Sequence, residues 1–319
     1  MQAKTAIDKT HPADSVIVLH FAGDVTLANH FQWHVGKRYH YPFGRLQCFA
    51  QADLSMVNLE NPLTRRGQAR NKPYVFRALP EYVKILTLGG IDIVTLANNH
   101  IYDYGEQGLF DTIEYLEQAG IRHVGAGKNL AQARKEALFT IKGKKLAFLA
   151  YYGLRPHSGC HPATGDSAGT VLRNLPYVRR DIQRVRDEAD FIIVNFHWGI
   201  EKENYPEPDQ IYFAHKTIEY GADLIIGHHP HVWQGIEKYR GKIIAYSLGN
   251  FIFGGNSRKH EQSAYLKVTL SGRDTVTAEL QIIPVEINYW RPQRLHGPRA
   301  DEFLERIKTY SSALAETIF

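Results

Sequence analysis

The chain has 319 residues, of which 44% are hydrophobic and 22% are charged; this composition can bury one large α/β core or two small ones and argues against disorder. Its formal net charge of +5 favours anionic partners, but no basic run interleaved with aromatic residues indicates a nucleic-acid partner. The two cysteines, Cys48 and Cys160, exclude a disulfide framework though not a single bridge, and we expect two free thiols.

Residues 1–14 are polar and lack the apolar core of a signal peptide, so we expect a flexible tail. No stretch approaches the length of a membrane span. We therefore expect no integral membrane segment and a cytoplasmic protein; a chain that had lost an anchor and works at the cell envelope would look the same. Residues 15–319 show neither a repeat nor a linker, which predicts a single domain.

Short apolar runs alternate with amphipathic stretches along the chain. We predict strands at residues 16–22, 54–59, 91–97, 122–124, 191–196, 223–226 and 242–246, a hairpin over 137–151, helices at 80–88, 106–118, 175–188, 209–220 and 300–317, a loop at 153–170, and antiparallel strands at 265–270 and 275–287. Alternation of strand and helix predicts an α/β fold, and the late antiparallel strands predict mixed sheets.

Five of the predicted strands end on residue types that bind metals, and a sixth is expected to end on an amide. The residues are Asp24, Glu60, Asn99 with His100, His197, and His229 with His231, followed by Asn250. Because the carboxyl ends of strands line the ligand crevice of open α/β sheets, we expect these side chains to converge. Singly, each has an ordinary explanation, such as a turn for Asp24 or a hydrogen-bonded core histidine for His197. The ordinary explanations together would require five coincidences, so the pattern favours a site.

The chemistry of these residues suits divalent cations. Asp24 and Glu60 supply hard anionic oxygens, Asn99 supplies a neutral amide oxygen, and the imidazoles suit Mn, Fe or Zn. Two carboxylates neutralise only half the charge of two divalent ions, so the site would attract an anionic small molecule or polymer. Pro230 is expected to keep His229 extended.

Five residues around these ligands are candidates for catalysis or substrate binding. His100 could protonate a leaving group, and Asp103 could orient it or merely cap the next helix. Arg77 could hold an anionic substrate group or form a surface salt bridge, and Glu201 could orient a histidine or lie in solvent. Asn250 joins Arg77 and Glu201 as a candidate substrate-binding residue.

These motifs resemble those of the calcineurin-like metallophosphoesterases, and the residues around them are similar in sequence to the CapA (poly-γ-glutamate capsule biosynthesis) family. The matching stretches are 22–24, 57–60, 96–100, 103–105, 197–199, 221–223, 229–231 and 246–251. The resemblance implies a layered α/β/β/α metallophosphoesterase-like sandwich with mixed sheets. It also implies a metal-dependent hydrolase with one or two divalent ions, ligated by the six residues Asp24, Glu60, Asn99, His197, His229 and His231.

One position departs from the metallophosphoesterase pattern. General members carry a histidine two residues after the first aspartate, where this chain has Thr26. The departure favours a single metal or a weakly held second one, and it leaves two alternatives open. The same cleft could hold poly-γ-glutamate or another polyanion without cleaving it, or the enzyme could cleave an amide rather than a phosphoester. The sequence does not indicate an oligomeric state.

Overall fold

The computed structural model describes residues 16–153, 161–254, 260–272 and 275–318. The predicted tail at residues 1–14 and the second cysteine, Cys160, lie outside these ranges. Cys48 is a free thiol, as expected. Within the described ranges, no helix is long and apolar enough to cross a membrane.

Strands and helices alternate through most of the chain. The strands are β1 (Ile17–Thr26), β2 (Leu54–Leu59), β3 (Ile93–Thr95), β4 (Arg122–Val124), β5 (Ala126–Gly127), β6 (Ala137–Ile141), β7 (Lys144–Tyr152), β8 (Gly169–Thr170), β9 (Phe191–His197), β10 (Leu224–His228), β11 (Ile236–Tyr239), β12 (Lys242–Ala245), β13 (Asn250–Phe253), β14 (His260–Ser271), β15 (Thr277–Asn288) and β16 (Arg291–Arg294). The helices are α1 (His30–Val35), α2 (Val83–Leu88), α3 (Gly105–Gln118), α4 (Leu130–Ala133), α5 (Leu175–Arg186), α6 (Pro208–Glu219) and α7 (Pro298–Ser311), with 3-10 turns at Gln47–Gln51 and Pro80–Tyr82.

Two large sheets form the frame of the fold, and both are mixed. The first has the strand order β16-β15-β14-β1-β2-β3-β4, with β13 also paired to β1; β1 to β4 are parallel, whereas β14 to β16 are antiparallel. The second has the order β11-β12-β10-β9-β7-β6, with parallel strands in its centre and antiparallel strands at its edges. The predicted mixed sheets are confirmed.

The sheets pack face to face, and helices cover their outer faces. Leu19 and Phe21 of β1 share an inter-sheet core with Ile193 of β9, whereas Val25 of β1 packs with residues of α1, α2 and α3. On the second sheet, Ile192 of β9 packs with residues of α5 and α6. Strands buried on both faces explain the nearly continuous apolar runs in the sequence. The α/β/β/α layering is therefore confirmed.

The first strand runs further than its apolar pattern predicted. We expected it to end at residue 22 with Asp24 beyond it, but β1 continues to Thr26. The reason is β13, which pairs in parallel with β1 and places Asn250 opposite Asp24. Asn250 correspondingly begins a strand rather than ending one. A partner more than 200 residues away in sequence keeps this segment extended, and local propensity does not record such pairing.

Two further predictions need correction. The last helix ends at Ser311 rather than at 317; Thr317 forms a bridge with Glu237 of β11 instead. The predicted surface loop at 153–170 contains β8, which pairs with β5. In both cases a distant backbone partner decides the local conformation.

Gly23 allows the backbone of β1 to approach residue 249 closely. A Cβ built on Gly23 would lie 1.8 Å from the Gly249 carbonyl oxygen, and that carbonyl accepts the hydrogen bond of the Asp24 amide. We therefore expect Gly23→Ala to lower the free energy of unfolding by about 3 kcal/mol, because main chain must move on both sides. The midpoint of urea unfolding measures this change. Gly165→Ala is the control, since nothing lies within 4 Å of its added Cβ; equal midpoints for the two variants would contradict the close approach.

Candidate metal centre

The carboxyl ends of strands from both sheets meet at one edge of the sandwich. Asp24 lies near the end of β1, Glu60 directly follows β2, and His197 ends β9. His197 is paired in register with His228, the last residue of β10. The chain after β10 then brings in His229 and His231. All of these side chains are buried except His231, whose side chain is 16% exposed.

The six predicted ligands surround a common point. Asp24, Glu60 and His197 form one group whose ligand atoms lie within 4.8 Å of one another, and Glu60, His229 and His231 form a second. Asn99 joins them, because its Oδ1 lies 2.8 Å from His197 Nε2. Glu60 belongs to both groups. The structure thus brings together the residues that the sequence placed at separate strand ends.

Asn58 fixes the two carboxylates relative to one another. Its Nδ2 donates to Asp24 Oδ1 at 2.8 Å and to Glu60 Oε2 at 3.2 Å. Its Oδ1 accepts from Asn98 Nδ2 at 3.0 Å. A neutral amide here brings donors to two anions without adding charge, and it orients the remaining carboxylate oxygens away from itself.

Burial and neighbouring charges shift the pKa values of the titrating groups in opposite directions. Burial opposes ionisation of Asp24, but the imidazoles of His228 and His231 outweigh it and hold the pKa of Asp24 well below its usual range. Burial, and next the charge of Asp24, raises the pKa of Glu60 well above its usual range. Burial opposes protonation of His231, yet the charge of Glu60 and a hydrogen bond to Asp24 raise its pKa to about 9. Burial and then His229 lower the pKa of His197 well below its usual range, which leaves a neutral imidazole.

Glu60 Oε1 shows that these residues fit a divalent cation. It is buried and has no hydrogen-bond donor among the described residues. Instead it faces His197 Nε2 at 3.7 Å and His231 Nε2 at 3.9 Å. Atoms that bind one ion at roughly 2 Å lie up to roughly 4 Å apart, so the spacing suits a shared cation. A cation would also compensate a buried carboxylate that otherwise has no partner at this oxygen.

The segment that carries the last two ligands has an unusual backbone. His229 has a φ of 98° and His231 a φ of 58°, so the prediction that Pro230 keeps His229 in an ordinary extended conformation is wrong. Positive φ is unfavourable for residues with a Cβ and persists where the surroundings impose it. The His229 amide points at Asp24 Oδ2, 3.4 Å away, and His231 Nδ1 lies 3.1 Å from the same oxygen. The strained turn therefore aims both residues at Asp24.

His100 lies beside the centre in a buried pair with Asp103. Its Nδ1 is 2.7 Å from Asp103 Oδ2, and its ring lies 4.1 Å from that of Phe76. Lys72 forms an ion pair with the other oxygen of Asp103 and donates to the Asn99 carbonyl at 2.7 Å. Since the carboxylate of Asp103 can only accept, Nδ1 of His100 must carry a proton in this pair. Nε2 is then the nitrogen left for exchange with a ligand.

The predicted substrate-binding residues are dispersed around this centre. Asn250 lies closest, with Oδ1 3.1 Å from His231 Nδ1 and Nδ2 donating to Glu261. Glu201 is exposed, and its charge acts on both Glu60 and His231. Arg77 is exposed and lies over the ring of Tyr104, 4.4 Å from its centroid. No contact among the described residues tests their roles, which stay predictions.

Three residues of the site escaped sequence analysis. Asn58 is a polar residue inside an apolar strand, two positions before Glu60 and so on the same face; that spacing was an available signal. His228 lies 3.5 Å from Asp24 Oδ1, and neither of its ring nitrogens has a hydrogen-bond partner among the described residues. Lys72 gave no signal, because its basic loop resembles solvated surface. Thr26 is also buried here, and its hydroxyl donates to the Glu60 carbonyl at 3.3 Å.

We expect Asn58→Leu to lower the free energy of unfolding by about 3 kcal/mol, because it leaves buried carboxylate oxygens and the Asn98 amide without partners. The midpoint of urea unfolding of the metal-free protein is the measurement. Asn195→Leu is the control: Asn195 is similarly buried in β9, but among the described residues its Nδ2 donates only to the Leu149 carbonyl. A loss no larger than in the control would contradict the role given to Asn58.

Comparison with known proteins identifies the family. The family model "Bacterial capsule synthesis protein PGA_cap" matches residues 18–255. The capsule biosynthesis protein CapA of Bacillus anthracis is 31% identical over 294 residues, which cover 89% of this chain and 70% of that protein. A probable polyglutamine synthesis accessory protein of Mycobacterium tuberculosis is 34% identical over 262 residues, covering 76% of this chain and 68% of that protein.

Among solved structures, the chain is similar to a 5'-nucleotidase from Candida albicans, with a TM-score of 0.45 and 11% identity over 85% of this chain and 52% of that one. The resemblance to CapA proteins seen in the motifs is confirmed by the family match, which spans most of the chain. This chain belongs to the bacterial capsule synthesis protein (PGA_cap) family.

Proposed function

We propose that the chain is a metal-dependent hydrolase that acts on an anionic substrate in the metabolism of poly-γ-glutamate or a related capsule polymer. The observation that carries the proposal is Glu60 Oε1, which is buried, has no hydrogen-bond donor in the described part of the chain, and faces the imidazoles of His197 and His231. A cluster built only for stability would not leave such an oxygen without a partner. Family membership supports the link to capsule polymers.

The six clustered residues would hold one or two divalent ions, for which Mn, Fe and Zn all suit a mixture of carboxylate, amide and imidazole ligands. The full set is Asp24, Glu60, Asn99, His197, His229 and His231. When bound there, divalent ions supply Lewis acidity and neutralise the charge of an anionic substrate. Asn58 keeps the two carboxylates in place.

His100 would exchange the proton of the reaction. Asp103 holds its Nδ1, and the ring is packed against Phe76, so Nε2 is left to take up a proton and pass it to a leaving group, or as part of an imidazolium to stabilise that group's charge. Asp103 is in this account a positioning residue, because it acts through His100. Asn250 and Glu201 would contact the substrate or orient the ligands around it.

Thr26 favours a second candidate function. At the position where general metallophosphoesterases carry a histidine, its hydroxyl bonds to the Glu60 carbonyl and offers no imidazole. A centre that lacks this ligand could bind a polyanion without cleaving it. The relative from Mycobacterium tuberculosis is named as an accessory protein, which is consistent with such a role.

A substrate panel separates these possibilities. Protein loaded in turn with Mn, Fe or Zn is offered a phosphomonoester, a phosphodiester and a γ-glutamyl amide. The proposal predicts turnover that appears with metal and disappears with chelator. Turnover of the amide alone would identify an amidase. Stoichiometric metal without turnover of any substrate would overturn the hydrolase and leave the binding function.

A further inference from the structure

A groove of about 820 Å³ runs along α1 on the outside of the fold, and nothing above assigns it a role. It is lined by Trp33, Lys37, Tyr39, Arg65, Arg77 and Tyr104, and we call it the α1 groove. Trp33 is 80% exposed, and the ring of His30 lies perpendicular to it with the ring centroids 5.1 Å apart. So large an exposed aromatic surface inside a groove is typical of a binding site.

The α1 groove has a surplus of positive charge. Glu81 is the one carboxylate among the described residues that line it, and Arg65 neutralises Glu81 at 2.8 Å. Neither Lys37 nor Arg77 forms an ion pair with any residue that the structure describes. Lys37 and Arg77 therefore give a surplus of positive charge to a groove whose uncharged lining residues are mostly aromatic or apolar. This favours an anionic ligand with apolar segments between its charges.

The α1 groove lies on the outer side of the wall that supports His100. Phe76 and Arg77 are consecutive residues, yet Phe76 is buried against His100 while Arg77 is exposed in the groove. Likewise Asp103 pairs with His100, while the next residue, Tyr104, lines the groove. A ligand in the groove would be held beside the metal centre without entering it.

The aromatic rings argue against a nucleic-acid strand. Stacking of successive bases needs successive free ring faces. Here the guanidinium of Arg77 covers Tyr104 at 4.4 Å, and Lys84 lies over Tyr39 at 5.5 Å. Only Trp33 presents a largely free face among the aromatic residues lining the groove in the described structure. A carboxylate chain suits this arrangement better, because its methylenes can pack on Trp33 while its charges pair with cations.

We propose that the α1 groove is an exosite that binds a carboxylate-bearing polymer, with γ-linked polyglutamate as its ligand. Each γ-linked residue carries one carboxylate and two methylenes, which matches a groove lined by both cations and aromatic rings. The choice of ligand rests on the proposed function. The exosite would be a second point of attachment, which keeps the polymer near the metal centre between successive contacts of the polymer with that centre.

Binding of a fluorescently labelled γ-linked glutamate oligomer to the full chain, measured by anisotropy at low and high salt, tests this exosite. The double variant Lys37→Glu with Arg77→Glu is expected to bind at least about tenfold more weakly, and Trp33→Ala about threefold more weakly. The control is Arg180→Glu with Arg179→Glu, which makes the same change of charge on the exposed side of α5; it should bind within about twofold of wild type. Unfolding midpoints show that each variant is folded.

Glu60→Gln separates this inference from the proposed function. If the groove binds the polymer, this variant still binds the oligomer even though its metal centre is disabled. If Glu60→Gln loses as much oligomer affinity as the groove variants, the polymer binds at the metal centre and the exosite is overturned. Three further results would overturn the exosite. One is that wild type fails to bind the oligomer, and another is that the groove variants bind it as tightly as the control does. The third is a single-stranded RNA of equal charge that binds more tightly than the oligomer. Hydrolysis is not needed for any of these outcomes.

Discussion

Replacing Glu60 by Gln is expected to lower affinity for divalent metal by about 100-fold or more. Even residues that only support ligands cost roughly 10- to 100-fold when replaced, and Glu60 contributes to both candidate ligand groups. The metal-free variant, however, should be at least as stable as wild type. Burial and the nearby charge of Asp24 already disfavour the ionised form of Glu60, and a neutral amide removes that repulsion.

The two effects are measured on one sample. Isothermal titration with Mn or Zn gives the affinity, and thermal unfolding with and without metal gives the stability. Wild type should gain stability when metal is added, whereas Glu60→Gln should not. Glu203→Gln is the matched control, because Glu203 is an exposed carboxylate that makes no ion pair with a described residue. A variant that is destabilised without metal but binds metal normally would mean that Glu60 is structural.

Replacing His100 by Ala is expected to lower turnover by about 10²- to 10⁴-fold, the usual range for loss of a positioned acid or base. Metal content should stay at the wild-type value, because His100 belongs to neither group of clustered ligands. The measurements are kcat on whichever ester the substrate panel identifies and bound metal per chain. Asp103→Asn should show the same pattern with a smaller loss, since it disturbs the proton on Nδ1 rather than removing the ring.

His296→Ala controls for removal of a histidine, because His296 is exposed and lies far along the chain after β16. If His100→Ala lost metal together with activity, His100 would be a ligand or a support for ligands. If it retained full turnover with full metal, the assignment of proton exchange to His100 Nε2 would be wrong. Rescue of His100→Ala by added imidazole would support the assignment directly.

The positions of the candidate ligands were predictable because they follow a rule of α/β sheets. Strand ends converge, so a metal-binding residue after each apolar run points to a site. Glu60 and His197 lie where this rule expects them. Periodicity also placed α5, whose cap, Asn174, accepts from the Tyr177 amide and whose first turn contains a proline.

What the sequence did not predict depends on contacts between distant segments. β13 extends β1 past Asp24 through pairing that no local pattern records. Lys72 lies in a polar loop, and only the fold shows that it is buried beside Asp103. The positive φ of His229 and His231 is likewise imposed by tertiary structure against local preference. Local sequence thus predicted which candidate ligands cluster, whereas the groups that hold them in place required the fold.

Bound metal per chain, measured by elemental analysis on protein purified without chelator or a histidine tag, tests the central claim most directly. The account predicts about one or two ions of Mn, Fe or Zn in wild type, and their loss in His197→Ala and in His231→Ala. Wild-type protein that stays metal-free after Mn and Zn are offered, or variants that keep the full metal content, would contradict it.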